Sequence, residues 1–268
     1  MDLSLIFFVK LLLLIPFLVA AYFLIVTRGS LVIQPLYKRG QSDSHIYWIY
    51  TNRFLICLTD RPLIISAILL FNYNRLVEAT IASLNPSLKG KSVLQVSCAF
   101  GNISQRVVKR CAEEGARRVV IGDLIPNEIK HTRKKLAGIS RGGTTLLLLE
   151  DAVSLAHKDD SFDYVVLFFL FHELPLKKKV AARVVKGGGR IVFCEFHRPA
   201  SPSLTISGNL FFKIFEPYAE EMWGAFDPKQ VLNGEAPGRW RFTRTTYFLG
   251  NYQHFSATKL PPSPGTTA

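Results

Sequence analysis

Apolar residues along this chain fall into short runs separated by polar, glycine-bearing turns, and the runs alternate with stretches of helical spacing. Val93, Leu94 and Val96 supply the first run. A bend of small residues, Ser97 to Gly101, follows, and then a helix carrying Val107, Val108 and Cys111, with Asn102 or Ser104 as its cap. Arg118 to Asp123 is a second run, buried and ending in an acid, and Leu146 to Leu149 is a third apolar run. Ser161-Phe162-Asp163-Tyr164 leads into Val165 to Phe169, apolar throughout as a buried parallel strand should be. Arg190 to Cys194 is a fifth run, entered from the turn Gly187-Gly188-Gly189. Asn127 to Leu136 and Leu176 to Val185 read as basic helices between these runs. Arg241 to Ser256 alternates with a period of two and predicts two closing strands, joined by a hairpin around Gly250-Asn251. Strands alternating with helices imply an α/β domain around a mostly parallel sheet. Upstream, Pro62 to Leu84 predicts a helix with Ile64, Ile68, Leu69, Leu76 and Ile81 on one face. The stretch Phe71 to Arg75 within it reads either as a cover over a ligand site or as a solvated face.

The N-terminus has a different pattern. Leu3 to Val26 is almost entirely apolar, broken by Lys10 and Pro16, and a membrane span needs about 20 such residues. Arg28, Lys38, Arg39 and Arg53 follow the run and Asp2 precedes it, so the charge bias puts the bulk of the chain on the cytosolic side, or on the matrix side of an organelle. A secretory signal fits less well, because the run is long and no small-x-small site follows it. The expected organisation is an anchor over 1–28, a connector with N-terminal helices over 29–84, an α/β domain over 85–258 and a disordered tail over 259–268. Tyr37, Tyr47, Trp48, Tyr50 and Phe54 in the connector suit a membrane–water boundary. Phe211 to Phe226, rich in aromatics, reads as the lining of an apolar substrate channel, as a segment dipping into the bilayer, or as a core helix.

Charge narrows the partners. The chain has 33 basic and 20 acidic residues, a formal net charge of +13, which favours anionic surfaces. Aromatic residues do not interleave with the basic ones, so a membrane fits better than nucleic acid. Cys57, Cys98, Cys111 and Cys194 match no metal or disulfide spacing and read as core thiols in a reducing compartment.

The chemistry lies at the ends of the apolar runs. A strand, a small-residue bend and a helix start form the entrance to nucleotide-binding α/β folds, where Ser97, Ala99 and Gly101 let backbone approach a ligand. The same pattern occurs in ordinary strand-to-helix turns. Asp123, beside Leu124, falls about 20 residues further on, where a carboxylate binds ribose hydroxyls, or else caps the next helix. Glu150-Asp151-Ala152 offers an acid to the exocyclic amine of adenine, or caps a turn. Phe171-His172-Glu173 and Glu195-Phe196-His197 place an acid and a histidine at each of two strand ends. Together they are candidates for a divalent-metal site or a proton-transfer pair.

These elements resemble a class I S-adenosylmethionine-dependent methyltransferase, a Rossmann-like fold on a seven-stranded sheet. Several strings are similar to the rhodoquinone biosynthesis methyltransferase-like family: Asn72 to Leu76, Val93-Leu94-Gln95-Val96, Phe168 to Glu173, His197-Arg198-Pro199, Glu216-Pro217 with Trp223, and Tyr247-Phe248 with Gly250, Tyr252 and Gln253. The resemblance spans 47–253. It implies conversion of ubiquinone, a membrane lipid, to rhodoquinone by exchange of a ring methoxy for an amino group. S-adenosylmethionine would be the amino donor, and a divalent metal such as manganese would sit at His172, Glu173, Glu195 and His197; the alternatives are a conventional S-adenosylmethionine-dependent methyltransferase acting on a quinone or lipid, and a non-catalytic quinone- or lipid-binding protein. Glu195 and Phe196 replace the expected Asp and Tyr, and the helix before Gly187 is several residues short. Gln95 stands where conventional methyltransferases carry an acid near the methionine end of the cofactor. A neutral amide there leaves more of the cofactor's amine uncharged and nucleophilic, or else Gln95 merely bonds the loop backbone.

Overall fold

The computed structural model describes residues 52–139, 144–174, 182–215, 227–235 and 239–261, together with Leu14, Phe17, Leu18, Ala21 and Tyr50. Most of the expected anchor and connector, the expected helix at 176–185 for the most part, the apolar stretch at 216–226 and most of the tail lie outside the described residues. Among the described residues no single helix is long and apolar enough to cross a membrane.

Three short helices lead in: α1 (Arg53–Thr59), α2 (Pro62–Ile68) and α3 (Tyr73–Ala82). The domain then runs β1 (Ser92–Val96), α4 (Ile103–Glu113), β2 (Arg118–Asp123), α5 (Pro126–Leu136), β3 (Thr145–Leu149), β4 (Phe162–Phe168), a 3-10 turn (Phe171–Glu173), β5 (Val185–Phe196), α6 (Pro202–Phe215), α7 (Pro228–Glu235), β6 (Trp240–Tyr247) and β7 (Tyr252–Lys259). The strands form one seven-stranded sheet in the order β3-β2-β1-β4-β5-β7-β6. The first five are parallel, and β7 runs antiparallel between β5 and β6. This is the expected Rossmann-like class I arrangement. Strand order reverses between β1 and β4, which opens a crevice at the carboxyl ends of those strands.

Alternation along the strands divides the core into two layers. Leu94, Val96, Val165, Leu167, Phe193 and Phe255 pack on one face. Val93, Val119, Ile121, Val166 and Phe168 pack on the other, against Tyr73 and Leu76 of α3, Val107 of α4 and Ile129 of α5. Gln95 shares that second face as a buried polar residue, and this brings it under the start of α4.

The structure corrects three expectations. The helix expected over 62–84 is two helices bent by 95°. The break comes at Leu70 and Phe71, whose φ values of 48° and 60° are left-handed. The third apolar run is a strand as expected, and it lies at the sheet edge with Leu146, Leu148 and Leu149 exposed. Gly187–Gly189 lies inside β5 rather than in a turn before it, where the register against β4 shifts between Phe162 and Tyr164. Cys57 is exposed, whereas Cys98, Cys111 and Cys194 are core thiols as expected.

Candidate functional site

The bend after β1 is built as a cradle. Ser97, Ala99 and Gly101 all have positive φ (76°, 27° and 82°), which turns their amides in an unusual direction. Gly101 is required twice over, since a Cβ there would lie 2.2 Å from the Tyr73 hydroxyl. That hydroxyl accepts the Asn102 and Ile103 amides at 2.5 and 3.1 Å, the groups that α4 leaves unpaired at its start. Neither expected cap does this. Asn102 makes no side-chain capping bond, and the Ser104 hydroxyl donates to the Cys98 carbonyl at 3.0 Å. Burial pushes the Tyr73 phenol well above its ordinary range.

Gln95 lies beneath the cradle. Its Nε2 donates to the Ser97 carbonyl at 2.9 Å and to Ser104 Oγ at 2.7 Å, while its Oε1 is buried with no partner among the described residues. A second clamp comes from outside the sheet. Asp60, at the end of α1, accepts the Gly101 amide at 2.7 Å, Lys135 Nζ at 2.7 Å and His131 Nε2 at 2.8 Å. Sequence reasoning missed Asp60, Tyr73 as a cap, and the His131 and Lys135 partners. No local pattern marks a cap supplied by another element.

Asp123 ends β2 facing the cradle. Its carboxylate accepts the Cys98 amide at 2.7 Å and the Ile125 amide at 2.8 Å, which leaves lone pairs for a hydroxyl. Burial raises its pKa, and those two amides oppose the rise. Leu124 beside it is exposed. At the end of β3, Asp151 accepts the Val153 amide at 3.0 Å, which is the turn-capping alternative, and Ala152 packs on the core. Glu150 lies over Gly122, where a Cβ would meet its Oε1 at 2.1 Å, and sits 3.1 Å from His157 Nε2. Glu128, in the first turn of α5, was also missed. It is buried with Oε1 unpartnered among the described residues, and burial, reinforced by the charges of Asp123 and Asp60, raises its carboxyl to about 8.

The two imidazole-bearing tips differ. His172 is buried, and its Nδ1 lies 3.0 and 3.2 Å from the two oxygens of fully buried Glu195, which also takes the His172 amide at 3.3 Å. An ionised carboxylate only accepts, so Nδ1 carries the hydrogen and Nε2 the lone pair. Nε2 stands 3.8 Å from Glu173 Oε1. His197 turns away, and its Nδ1 donates to the Gly250 carbonyl at 2.8 Å. The expected four-residue metal site is therefore not assembled. Among the described residues no group of three His, Cys, Asp or Glu side chains is placed to hold a metal ion. The donors do not fit a divalent cation because they do not converge: Glu195 faces His172 Nδ1, and His197 is held at the Gly250 carbonyl.

Around His172 the carboxyl ends of β4 and β5 form an aromatic wall. Phe169 lies 5.1 Å from Phe196 and 5.9 Å from Tyr252, and Phe196 lies 5.0 Å from His172 and 4.9 Å from Phe212. Tyr50 ties wall to cradle. Its ring stacks on Phe100 at 5.4 Å and its hydroxyl donates to Glu173. A polar loop for one ligand and an apolar, base-bearing wall for another thus share a boundary.

Known proteins narrow the family. The chain is 30% identical over 161 residues to the demethylmenaquinone methyltransferase of Shouchella clausii, covering 53% of this chain and 67% of that protein. It is 29% identical over 119 residues to the ubiquinone/menaquinone biosynthesis C-methyltransferase UbiE of a Marinomonas species, covering 43% of this chain and 47% of that one. Among solved structures, a SAM-dependent methyltransferase from Aquifex aeolicus superposes with a TM-score of 0.53 at 18% identity, covering 78% of this chain and 99% of that one. A phosphoethanolamine N-methyltransferase from Haemonchus contortus, complexed with S-adenosylhomocysteine, superposes with a TM-score of 0.54 at 13% identity, covering 72% of this chain and 54% of that one. These two likenesses concern the fold alone. The profile of the ubiE/COQ5 methyltransferase family matches residues 60–229, more than half of the chain, and the protein belongs to that family.

Proposed function

We propose that this chain is an S-adenosylmethionine-dependent transferase that methylates a ring carbon of a membrane quinone in its hydroquinone form, with His172 as the proton acceptor. The observation that carries the reading is the buried His172–Glu195 pair set in an aromatic wall beside the cradle. The cradle's small residues admit the cofactor, Asp123 accepts from its ribose hydroxyls, and the unpartnered Gln95 Oε1 accepts from its amino group. When bound, that cofactor supplies an activated methyl to a ring carbon made electron-rich by loss of a hydroxyl proton. Glu195 fixes the imidazole and stabilises the imidazolium that forms when Nε2 takes that proton. The flat ring lies among Phe169, Phe196 and Tyr252, and Glu173, held by Tyr50, orients the second ring oxygen.

The relatives support methylation, since those named are methyltransferases of quinone biosynthesis. The apolar Leu3–Val26 run and the charge of +13 support a membrane-held protein with its catalytic domain on the cytosolic face of a bacterial inner membrane, or the matrix face of a mitochondrial one. The test uses purified full-length protein, S-adenosylmethionine and a short-tailed hydroquinone, with product mass as the readout. Gain of a methyl is expected, and His172→Ala should lower turnover at least about 100-fold while keeping cofactor affinity. No product, or an unaffected His172→Ala enzyme, refutes the proposal.

One observation favours a second reading, exchange of a methoxy for an amino group as in rhodoquinone formation from ubiquinone. A neutral, buried Gln95 occupies a place where a carboxylate would hold the cofactor's ammonium in its charged form. Loss of methoxy with gain of amino nitrogen from the cofactor would establish it. In that case Gln95→Glu should depress nitrogen transfer while sparing cofactor binding.

A further inference from the structure

Two turns on the carboxyl-end face of the sheet break the usual rules of turn chemistry in the same way. At the end of α2, the Phe71 amide donates to the Ser66 carbonyl at 2.6 Å and the Leu70 amide to the Ala67 carbonyl at 3.1 Å. Such helix ends place a left-handed residue just past the last turn, and glycine or asparagine is the residue that tolerates it. Here Leu70 and Phe71 take those conformations, with φ of 48° and 60°. In the β6–β7 hairpin, the Gly250 amide donates to the Tyr247 carbonyl at 3.1 Å across Phe248 and Leu249, whose φ values are 47° and 52°. A two-residue turn with both central φ positive calls for Asn-Gly. In both turns the strained residues are bulky and apolar, and they face water: Leu70 is 47% exposed, Phe71 73%, Phe248 36% and Leu249 67%. Backbone strain and apolar exposure coincide at these four residues, although Phe248 still reaches the Tyr252 ring at 6.3 Å. Strain of this kind collects at functional surfaces.

The two turns are neighbours. Arg75, one turn into α3, lies over the Tyr247 ring at 4.9 Å. The hairpin is fixed to the segment after β5 by the Ala200 amide, which donates to the Leu249 carbonyl at 2.9 Å. Leu63 on α2 and Ile206 on α6 are also exposed, at 73% and 71%. Arg61, Arg75 and Arg198 are exposed as well. Each turn also runs directly into the site: Phe71 is two residues from Tyr73, the cap of the cradle helix, and Leu249 is three from Tyr252 in the aromatic wall.

We propose that these two turns are the face the enzyme lays on an anionic phospholipid bilayer, so that a tailed quinone enters the site from the lipid between them. The proposal rests on the membrane-quinone reading above. Apolar side chains on tight turns with Arg75 and Arg198 alongside match the interfacial zone of a bilayer, where acyl chains take the former and phosphates the latter. The overall charge of +13 favours the same partner over a second copy of this chain, which would bring its own positive charge.

The test places a tryptophan in the full-length protein at Phe71→Trp, at Leu249→Trp or at Lys89→Trp. Lys89 is exposed beside the start of β1, at the opposite end of the sheet. Each protein is mixed with phosphatidylcholine–phosphatidylglycerol vesicles brominated on the acyl chains, and the wild-type signal of the native tryptophans is subtracted. Both turn tryptophans should lose about half their emission and the Lys89→Trp residue should keep its own. Equal quenching at all three positions, or none at the turns, overturns the proposal, as does a face shielded by self-association. A Phe71→Ser/Leu249→Ser variant separates this result from the functional reading. Its KM for a long-tailed quinone in vesicles should rise at least about tenfold, while turnover of a short-tailed quinone in solution stays within about twofold of wild type. Should the wild type turn over neither quinone, the functional reading fails, and quenching alone decides the surface. Should the variant keep its KM in vesicles, the surface assignment fails and the functional reading stands.

Discussion

Replacing Gly101 by alanine isolates what the cradle demands of its backbone. At φ +82° an alanine is in the left-handed region, at a cost of about 1–2 kcal/mol. The added Cβ would also lie 2.2 Å from the Tyr73 hydroxyl and 2.4 Å from its Cζ. Those atoms belong to a fully buried ring, packed edge-on to Phe168 at 6.0 Å, so the ring cannot simply swing into solvent. Moving it gives up the two amide hydrogen bonds at the start of α4, worth about 1 kcal/mol each. The expected total is about 3–4 kcal/mol. Gly115 is the control, because it has φ +71° but nothing within 4 Å of an added Cβ, so Gly115→Ala should show the backbone cost alone. Urea unfolding of both variants measures the difference, predicted at about 2 kcal/mol. In a Tyr73→Leu background the Gly101→Ala cost should fall to the Gly115→Ala value. Equal costs for the two glycines, or an excess that survives removal of the tyrosine, would show that Tyr73 does not set the need for glycine at this position.

Glu195→Gln should lower turnover by about 100-fold with cofactor affinity unchanged, because the amide no longer stabilises an imidazolium at His172; a matching loss of affinity would make the residue structural. Burial lowers the pKa of His254 to about 4, so the unfolded chain binds its proton first as pH falls from 6.5. Stability should therefore drop between pH 6.5 and 4 by roughly 3 kcal/mol, and His254→Gln should flatten that slope in urea titrations. Glu128 has the opposite sign. Its folded pKa is raised to about 8, so its share of stability is present in acid and lost as pH climbs from about 4.5 through 8. Glu128→Gln should be the more stable protein at pH 8.5 and show no advantage at pH 4.5; equal stability at both would mean the carboxyl titrates normally.

The parts of this molecule that local pattern dictates were legible in the sequence. Val93 to Val96, Arg118 to Asp123 and Val165 to Phe168 are strands because short apolar runs bounded by turn residues pack best that way. The closing hairpin followed from its alternation. Leu146 to Leu149 is the expected strand, but its edge position was not legible, because an edge strand and a central strand share one composition and differ only in what covers them. The Pro62–Leu84 helix misled for a related reason. Its apolar spacing continues through Leu70 and Phe71, two residues that seldom mark a helix end, and only the fold reveals the left-handed break. At the candidate site, Asp123, His172 and Glu195 could be picked out because strand ends are where parallel sheets present chemistry. Asp60, Tyr73 and Lys135 were not, because they act on Gly101 from 41, 28 and 34 residues away, and no spacing rule covers such distances. His197 failed for the complementary reason: it occupies the right strand end, but the hairpin carbonyl at Gly250 claims it.

The same Tyr73 that caps the cradle helix begins α3 immediately after the strained Leu70–Phe71 turn, and this adjacency has a thermodynamic consequence. A bilayer that holds the turn also holds the first residues of α3, and so the hydroxyl that organises the amides of Asn102 and Ile103. If lipid binding and cofactor binding both favour that ordered arrangement, each must strengthen the other by the same factor. Affinity for S-adenosylmethionine should therefore rise severalfold when anionic vesicles are added to the wild-type protein. Phe71→Ser should lose that rise while keeping the affinity measured without lipid. Tyr73→Phe should bind cofactor more weakly in both conditions, because the cap itself is gone. An affinity indifferent to vesicles in the wild type would mean that the turn and the cradle, though two residues apart, move independently.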